Sequence, residues 1–408
     1  MSESALSVGL NLAYLVEESG GSATYGRELL RGILAVEPRT RITAFVSSVA
    51  PDDLFTAPWS EDVEWVRLPV DPRQGPPWNA ALLMRAQWGT IPRLARRRRL
   101  DVVHGPANIV PIISPGVATV VTLLDVTWIH FPKTMDRRAT LAMKAVAPLC
   151  ARAADRVIAI SEAAKRDIVH TIGLDATKVD VAPLGIRMEE TGVGLAENQL
   201  RGQLGIPDGP IVLCVAQKRE HKNLSSLIRG VAGVARRDVQ LVLPGSPTPH
   251  EQELRRLAVE LGIEDRVHFP GWISIGQLEG LYSAAACFVL PSFMEGFGLP
   301  LLEAMRRGVP VACSNVSSLP EVAGDAALYF DPHRPDEIAG AIERLVGDEA
   351  FARLMIERGY ERCRLFSWER TAKETLASYR RAIEGRHGLI RRVRGRRTAR
   401  SPSPSTPS

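Results

Sequence analysis

The chain of 408 residues has no apolar run near the ~18 residues that a membrane-crossing helix needs. Its opening, MSESALSVGLNLAYL, has neither a basic segment nor an apolar stretch ending at a small-residue cleavage site. The sequence therefore predicts no spanning helix and no secretory leader, and a cytoplasmic protein. Its five cysteines (Cys150, Cys214, Cys287, Cys313 and Cys363) are odd in number, scattered and mostly in apolar context. They lack metal-ligand spacing, so buried reduced thiols are expected and no bound metal is. No Asp-x-Asp pair is present, which removes one common way of holding a metal–diphosphate. Nor is the excess of basic charge spread along the chain. Arg386 to Ser408 hold seven arginines and no acid, which outweigh the net charge of +5 and leave the rest slightly acidic. A nucleic-acid partner is not expected.

What is present is a repeating pattern. VGLNLAYL, RITAFVS, DVVHG, VATVVTLLD and RVIAIS read as strands, as do PIVLCVA, VQLVLPG, RVHFPG, CFVLPS and PVACS. Helix-period segments such as YGRELLRGILAV and NLSSLIRGVAGVARR lie between many of them. Near-continuous apolar strands with intervening helices indicate parallel sheets covered on both faces. The pattern occurs twice, with a break at VAPLGI and the polar stretch after it, roughly residues 186–200. Two doubly wound α/β domains follow, with ligands expected beyond the carboxyl ends of the strands. The Arg-rich, Pro/Ser-rich segment 386–408 is expected to be disordered. It and the run Arg96–Arg99 each have two readings, solvated charge or peripheral contact with an anionic membrane surface.

The segment CFVLPSFMEGFGLPLLEAMRRGVPVACS carries the most information. A strand leads into the loop FMEGFG, Pro300 suits the first turn of a helix, and Gly308 with Pro310 suits its end. Gly296 and Gly298 let the backbone approach a ligand, and the helix N-terminus favours an anion such as a diphosphate. A plain strand-to-helix turn would look the same. Two carboxylates, Glu295 and Glu303, suit hydroxyl pairs on either side of a diphosphate: a transferred sugar at Glu295 and a ribose diol at Glu303. The simpler alternatives are a solvated acid for Glu295 and an i, i+4 pair with Arg307 for Glu303. In VLCVAQKREHKNLSSLI, Lys218, Arg219 and Lys222 occupy a loop before a helix, placed to neutralise a diphosphate or simply solvated. Gly20 and Gly21 precede a first-domain helix expected near Ala23, where an anion or acceptor hydroxyl could bind.

Together these residues resemble the retaining glycosyltransferase family 4, of GT-B fold, through about Ile383. EGFGLPLLEAMRRGVPV and SNVSSLPEVAGDAALYFDP are the most specific parts, with Glu295 and Glu303 matching the family's Glu-x7-Glu motif. KREHKN resembles its basic phosphate loop, and SGGSATYGRELL its first-domain glycine loop. The resemblance implies two Rossmann-like domains facing each other across a cleft: an acceptor-side domain over 1–190 and a nucleotide-sugar-binding domain over 191–366. A crossover helix over 367–385 would return to the first domain, ahead of the tail 386–408. It implies transfer of a hexose, mannosyl or glucosyl, with retention and without metal or cofactor. The donor would be a nucleotide sugar such as GDP-mannose or UDP-glucose, and the acceptor a glycan, a lipid-linked species or a small molecule. By the same resemblance, Lys218 and Lys222 stabilise the leaving diphosphate, and Phe297, Gly298 and Leu299 contact phosphate and sugar through backbone N–H groups. The base would rest near Gly245, Trp272 and Ile273. His104 and Asp125 are acceptor-side candidates. Closure would hinge near residues 186–200 and Phe366–Trp368. The sequence departs from the family pattern in two places. Leu124-Asp125 stands where members often carry His-Asp, and Lys218 where many have arginine. A glycosyltransferase-like subunit that binds or scaffolds without turnover is therefore the alternative reading, with an epimerase or phosphorylase as a third.

Overall fold

The computed structural model describes residues 5–16, 20–73, 78–134, 136–187 and 193–398. Among the described residues, thirteen strands form two sheets. The first sheet holds β1 (Ser7–Leu12), β2 (Arg41–Val46), β3 (Val63–Arg67), β4 (Val102–Gly105), β5 (Ala118–Leu123), β6 (Arg156–Ala159) and β7 (Val179–Val181). The second holds β8 (Ile211–Leu213), β9 (Gln240–Pro244), β10 (Val267–Gly271), β11 (Ala285–Leu290), β12 (Val311–Ser314) and β13 (Ala327–Phe330). Six of the covering helices bear on the site. They are α1 (Gly21–Val36), α2 (Arg137–Ala153), α3 (Glu162–Ile172), α4 (Leu224–Gly233), α5 (Leu299–Arg306) and α6 (Trp368–Thr398).

The strand orders are β3-β2-β1-β4-β5-β6-β7 and β10-β9-β8-β11-β12-β13, and every recorded pairing is parallel. Each sheet reverses direction once, between β1 and β4 in the first and between β8 and β11 in the second. A crevice opens at such a reversal because the flanking helices leave toward opposite faces. The central strands are apolar and fully buried, as in β1, β5 and β9. The sequence reading did not find β3, β7 or β13, and all three are edge strands with partly exposed residues.

After the second domain the chain returns to the first. Helix α6 packs on α1 and on β4, β5 and β6. Its Trp368 carbonyl lies where a Cβ on Gly32 would come within 2.7 Å, and the Trp368 ring faces Tyr25 at 6.5 Å. Thr371 Oγ1 donates to the Pro183 carbonyl at 2.6 Å. The tail expectation needs correction over its first part. The helix continues to Thr398, with Arg386 held by Asp155 at 2.6 Å and by the Ser114 carbonyl. A helix already anchored in a core extends at little further cost, because nucleation is the expensive step. Residues 399–408 lie outside the described residues, as do 188–192 of the expected hinge. All five cysteines are free and buried.

Candidate functional site

The site is built at the reversal in the second sheet. After β8, a short turn over Glu220–Lys222 ends at Asn223, whose φ of 53° lies in the left-handed region that Asn tolerates. Its side-chain amide donates to the carbonyls of Pro291 at 3.0 Å and Pro332 at 2.8 Å, joining the loops that follow β8, β11 and β13. That tie sets Lys222 opposite Glu295. The Nζ to Oε1 distance is 2.6 Å, with side chains only 18% and 10% exposed. Ser292 Oγ also donates to Glu295 Oε1, at 2.7 Å. Burial pushes the Glu295 carboxyl up, but Lys222 and the Ser292 hydroxyl outweigh it and leave the group below its ordinary value. Glu295 is thus an ionised, nearly buried carboxylate rather than a solvated loop acid.

The backbone around it is equally constrained. Ser317 and Ser318 hydroxyls donate to the Glu295 carbonyl at 2.7 and 3.0 Å, and Ser318 Oγ also reaches the Phe297 carbonyl at 2.8 Å. Gly298, at φ 106°, is the residue before α5, and a residue with a Cβ would be strained there. Pro300 sits in the first turn of α5 as expected, and the first N–H groups of that helix have no intrahelical acceptor. An ammonium, a carboxylate and a helix N-terminus therefore converge. Glu303 lies further along α5 and accepts from Tyr282 OH at 3.2 Å. Burial raises its carboxyl, partly offset by Arg307. Arg307 does not form the expected alternative pair with the Glu303 carboxylate. Its guanidinium holds Glu279 at 2.5 Å and donates to the Glu303 backbone carbonyl at 2.8 Å.

The basic loop divides. Lys218 is fully buried and turns away from Glu295, donating to the Gly245 carbonyl at 2.6 Å, and burial lowers its ammonium to about 8. Gly245 in turn donates to the Gly271 carbonyl at 2.8 Å, which brings its loop beside Trp272 and Ile273. Trp272 is 62% exposed and Ile273 half-buried. Lys218 and Arg219 line a cleft of about 670 Å³ with Thr248 and Glu253, closed on the other side by Lys133 and Asp136 of the first domain.

The first domain meets the site directly. A Cβ on Gly296 would fall 2.2 Å from the Leu124 carbonyl and 3.2 Å from the Asp125 Cβ, so only glycine fits. Asp125 accepts from the Thr127 N–H at 2.8 Å; burial raises its carboxyl, and the Lys222 charge offsets part of that. Ser161 Oγ, which caps α3 by accepting from the Ala164 N–H, donates to the Gly296 carbonyl at 2.8 Å. Glu321 reaches across and accepts from the N–H groups of Glu162 and Ala163 at 2.8 and 3.0 Å. Phe131 stacks on Phe293, with ring centroids 6.4 Å apart. Gly20 and Gly21 open α1 beyond β1, at the same carboxyl edge as Asp125.

His104 is a correction. It is fully buried, with Nδ1 2.7 Å from Tyr379 OH and Nε2 2.8 Å from Thr122 Oγ1, and burial lowers its pKa to about 3. Both ring nitrogens are engaged inside the junction with α6, so it cannot contact an acceptor. Asn223, Ser161, Ser292, Ser317, Ser318 and Glu321 escaped sequence reasoning. The doubled serine before Pro320 was the nearest available signal, since Ser hydroxyls bond nearby backbone at helix starts.

Comparison with known proteins agrees with this architecture. The family model Glycosyltransferase Family 4 matches residues 19–190, and Glycosyl transferases group 1 matches residues 196–362. The O-antigen chain mannosyltransferase B of Escherichia coli is 41% identical over 140 residues, 34% of this chain and 37% of that protein. The MMP alpha-(1->4)-mannosyltransferase of Mycolicibacterium hassiacum is 29% identical over 322 residues, 71% of this chain and 72% of that protein. A D-inositol 3-phosphate glycosyltransferase of a Nocardioides species is 32% identical over 251 residues, 56% of this chain and 54% of that protein. The chain thus spans only about a third to three quarters of these relatives' lengths. Among solved structures, sucrose-phosphate synthase from Thermosynechococcus elongatus superposes with a TM-score of 0.72 at 23% identity, covering 93% of this chain and 99% of that one. The Anabaena protein HepE in complex with UDP-glucose gives 0.67 at 20%, covering 91% and 100%. The fold is GT-B, and with the two models matching successive halves, the chain belongs to the family 4, group 1 glycosyltransferases.

Proposed function

We propose that this chain is a retaining, metal-independent glycosyltransferase that moves a mannosyl- or glucosyl-type hexose from a nucleotide sugar to an acceptor hydroxyl. The observation that carries the reading is the Lys222–Glu295 pair at the start of α5, facing Asp125 across the cleft. One Lys222 proton is used by Glu295, which leaves two donors for a diphosphate beside the helix N-terminus. Glu295 is placed to accept sugar hydroxyls and to stabilise positive charge growing at the anomeric carbon. The bond from that carbon to the leaving phosphate breaks as the bond to the acceptor oxygen forms, and the acceptor proton passes to the leaving phosphate. Glu303 would hold the ribose diol, and the Gly245–Ile273 surface the base. Lys218, bonded to Gly245, supports that surface rather than the phosphates. The names of the relatives favour a mannosyl or related transfer, and HepE binds UDP-glucose.

The test is incubation with a panel of UDP- and GDP-sugars, with and without candidate acceptors, in EDTA. Acceptor-dependent release of nucleoside diphosphate in chelator is expected. Loss of turnover in EDTA with recovery on added manganese would refute the metal-independent part. Donor-induced thermal stabilisation without product, across acceptors, would support the scaffold alternative that Leu124 raises.

A further inference from the structure

Among the described residues, four that are not glycine hold φ in the left-handed region: Arg99, Asn108, Asn223 and Ser317. Asn tolerates that region because its short side chain can bond locally. Arg99 lies just past the helix Ile91–Arg97, where its N–H and that of Leu100 bond back to the Arg96 and Ala95 carbonyls, a common way to end a helix. Ser317, at φ 59°, is neither an asparagine nor a helix end. It is half-buried in the loop between β12 and the short helix Leu319–Ala323. A side chain held in this region lowers stability and persists only where its surroundings over-determine it.

Glu295 supplies those surroundings. Ser317 Oγ accepts from the Glu295 N–H at 3.2 Å and donates to the Glu295 carbonyl at 2.7 Å. One hydroxyl thus satisfies both backbone polar groups of a residue 22 positions earlier in the chain. The carbonyl also receives Ser318 Oγ at 3.0 Å, whereas the N–H has Ser317 as its partner. The carboxylate of the same residue is held separately, by Lys222 Nζ at 2.6 Å and Ser292 Oγ at 2.7 Å. Glu295 is therefore gripped at its main chain from the loop after β12, and at its carboxylate from the loops after β8 and β11.

We propose that Ser317 is a positioning residue of the glycosyl transfer, kept in a strained backbone conformation because its hydroxyl then fixes the peptide of Glu295 and, with it, the reach of the carboxylate to the donor sugar. This role rests on the assignment of Glu295 as the sugar-facing carboxylate. Ser317 itself touches neither donor nor acceptor. A group that stabilises developing charge must be held within about 0.5 Å of its productive place. Bonds at the carboxylate alone would leave the backbone behind it free to shift. A hydroxyl that both gives and takes a hydrogen bond on one residue fixes the orientation of its main chain as well as its position. Relaxing Ser317 out of the left-handed region would carry the hydroxyl away from both groups, so strain and positioning are coupled. The simpler alternative is a loop staple that contributes to stability and nothing else.

Ser317→Ala and Ser317→Gly in the full chain, each alone and combined with Glu295→Gln, test this. Ala removes the hydroxyl and keeps the strain, whereas Gly removes both. Both single variants should lower kcat roughly 10- to 100-fold, the scale of a misplacement of about 1 Å, with donor KM changed little. Ser317→Gly should melt several degrees above Ser317→Ala, because a positive φ suits glycine. On the Glu295→Gln background, adding Ser317→Gly should change kcat by less than about twofold, since the hydroxyl acts through a carboxylate already lost. Unchanged kcat in the single variants, additive losses in the combined one, or a raised donor KM as the main effect would overturn the positioning role. Equal melting temperatures for the Ala and Gly variants would overturn the strain. Wild type that turns over no nucleotide sugar would bring down the proposed function and this role together, whereas wild-type turnover with additive losses would remove this role alone.

Discussion

Glu295→Gln is expected to separate donor binding from chemistry. The carboxylate is 10% exposed and paired with a Lys222 side chain that is 18% exposed. Removing one partner of a buried pair strands the other charge, at about 3–5 kcal/mol. Gln keeps an acceptor toward Lys222 and Ser292, so the low end, about 3 kcal/mol, applies. At ~2–4 °C per kcal/mol for a chain with domains of this size, the apo melting temperature should fall by roughly 6–12 °C. A nucleoside diphosphate supplies Lys222 with a new anion, so saturating UDP or GDP should narrow the gap. Turnover should not recover. A charge that acts mainly in the transition state is worth roughly 10²–10³ in rate and lowers kcat and kcat/KM together. The pH dependence has a definite sign. Glu295 is held below its ordinary value, so its contribution is present above the unfolded carboxyl pKa and lost as pH falls through the folded one. Wild type and variant should therefore converge in stability only once the pH has fallen below the ordinary carboxyl range. Calorimetry with and without nucleotide, together with steady-state kinetics on a working acceptor, measures all of this. Near-normal kcat in Glu295→Gln, or a raised donor KM as the only change, would remove Glu295 from the catalytic centre.

Other substitutions probe the closed arrangement and the core. Gly296→Ala should abolish turnover yet leave the melting temperature within a few degrees, because its Cβ would meet the Leu124 carbonyl only when the halves touch; kinetics and a thermal melt decide. Glu321→Ala should cost ~1 kcal/mol through loss of the α3 cap and should raise the donor-free radius of gyration by scattering. An unchanged radius would mean that Glu321 only caps the helix. His104 and His221 are depressed by burial to about 3 and about 4, so unfolding takes up protons and stability falls as pH drops below the ordinary His range. By pH 5 that costs about 2 kcal/mol per histidine, and His104→Gln should flatten the dependence between pH 7 and 5 in denaturant titrations.

The sequence was most legible where strands are buried on both faces. Ten of the thirteen strands show near-continuous apolar runs, whereas VEWVR, VDV and ALYF sit at sheet edges, where half the side chains meet solvent and the pattern fades. The glycine loop, Pro300 and the pair Glu295 and Glu303 were legible because each depends on chain-local chemistry. The partners of Glu295 were not. Lys222 lies 73 residues away and is aimed by Asn223, whose bonds to Pro291 and Pro332 reach 68 and 109 residues along the chain. Lys218 and Lys222 look equivalent in KREHK, but four residues of turn point one into the Gly245 loop and the other at the carboxylate. His104 was misplaced for a related reason. A histidine at a strand end looks accessible until a helix 275 residues later covers it.

The loop that carries Glu295, Gly296 and Phe297 belongs to both domains at once, and this bears on how the cleft works. Glu295 and Phe297 are held from the second domain by Ser317 and Ser318, while Gly296 between them is held from the first by Ser161 and pressed against Leu124. Opening the cleft must break the Ser161 bond and the two Glu321 bonds to α3. Each hydrogen bond contributes only about 0.5–1.5 kcal/mol net, because water replaces the lost partner. Three such bonds amount to a few kcal/mol, small enough for the open state to remain accessible and large enough for bound donor to shift the balance toward closure. Among the described residues, the segments that would carry the motion are near Ile186, whose N–H meets the Phe366 carbonyl at 3.3 Å, and at Gly185, which lies against Trp368. The two chain crossings between domains thus lie side by side, so one local rotation can open the cleft without disturbing either sheet.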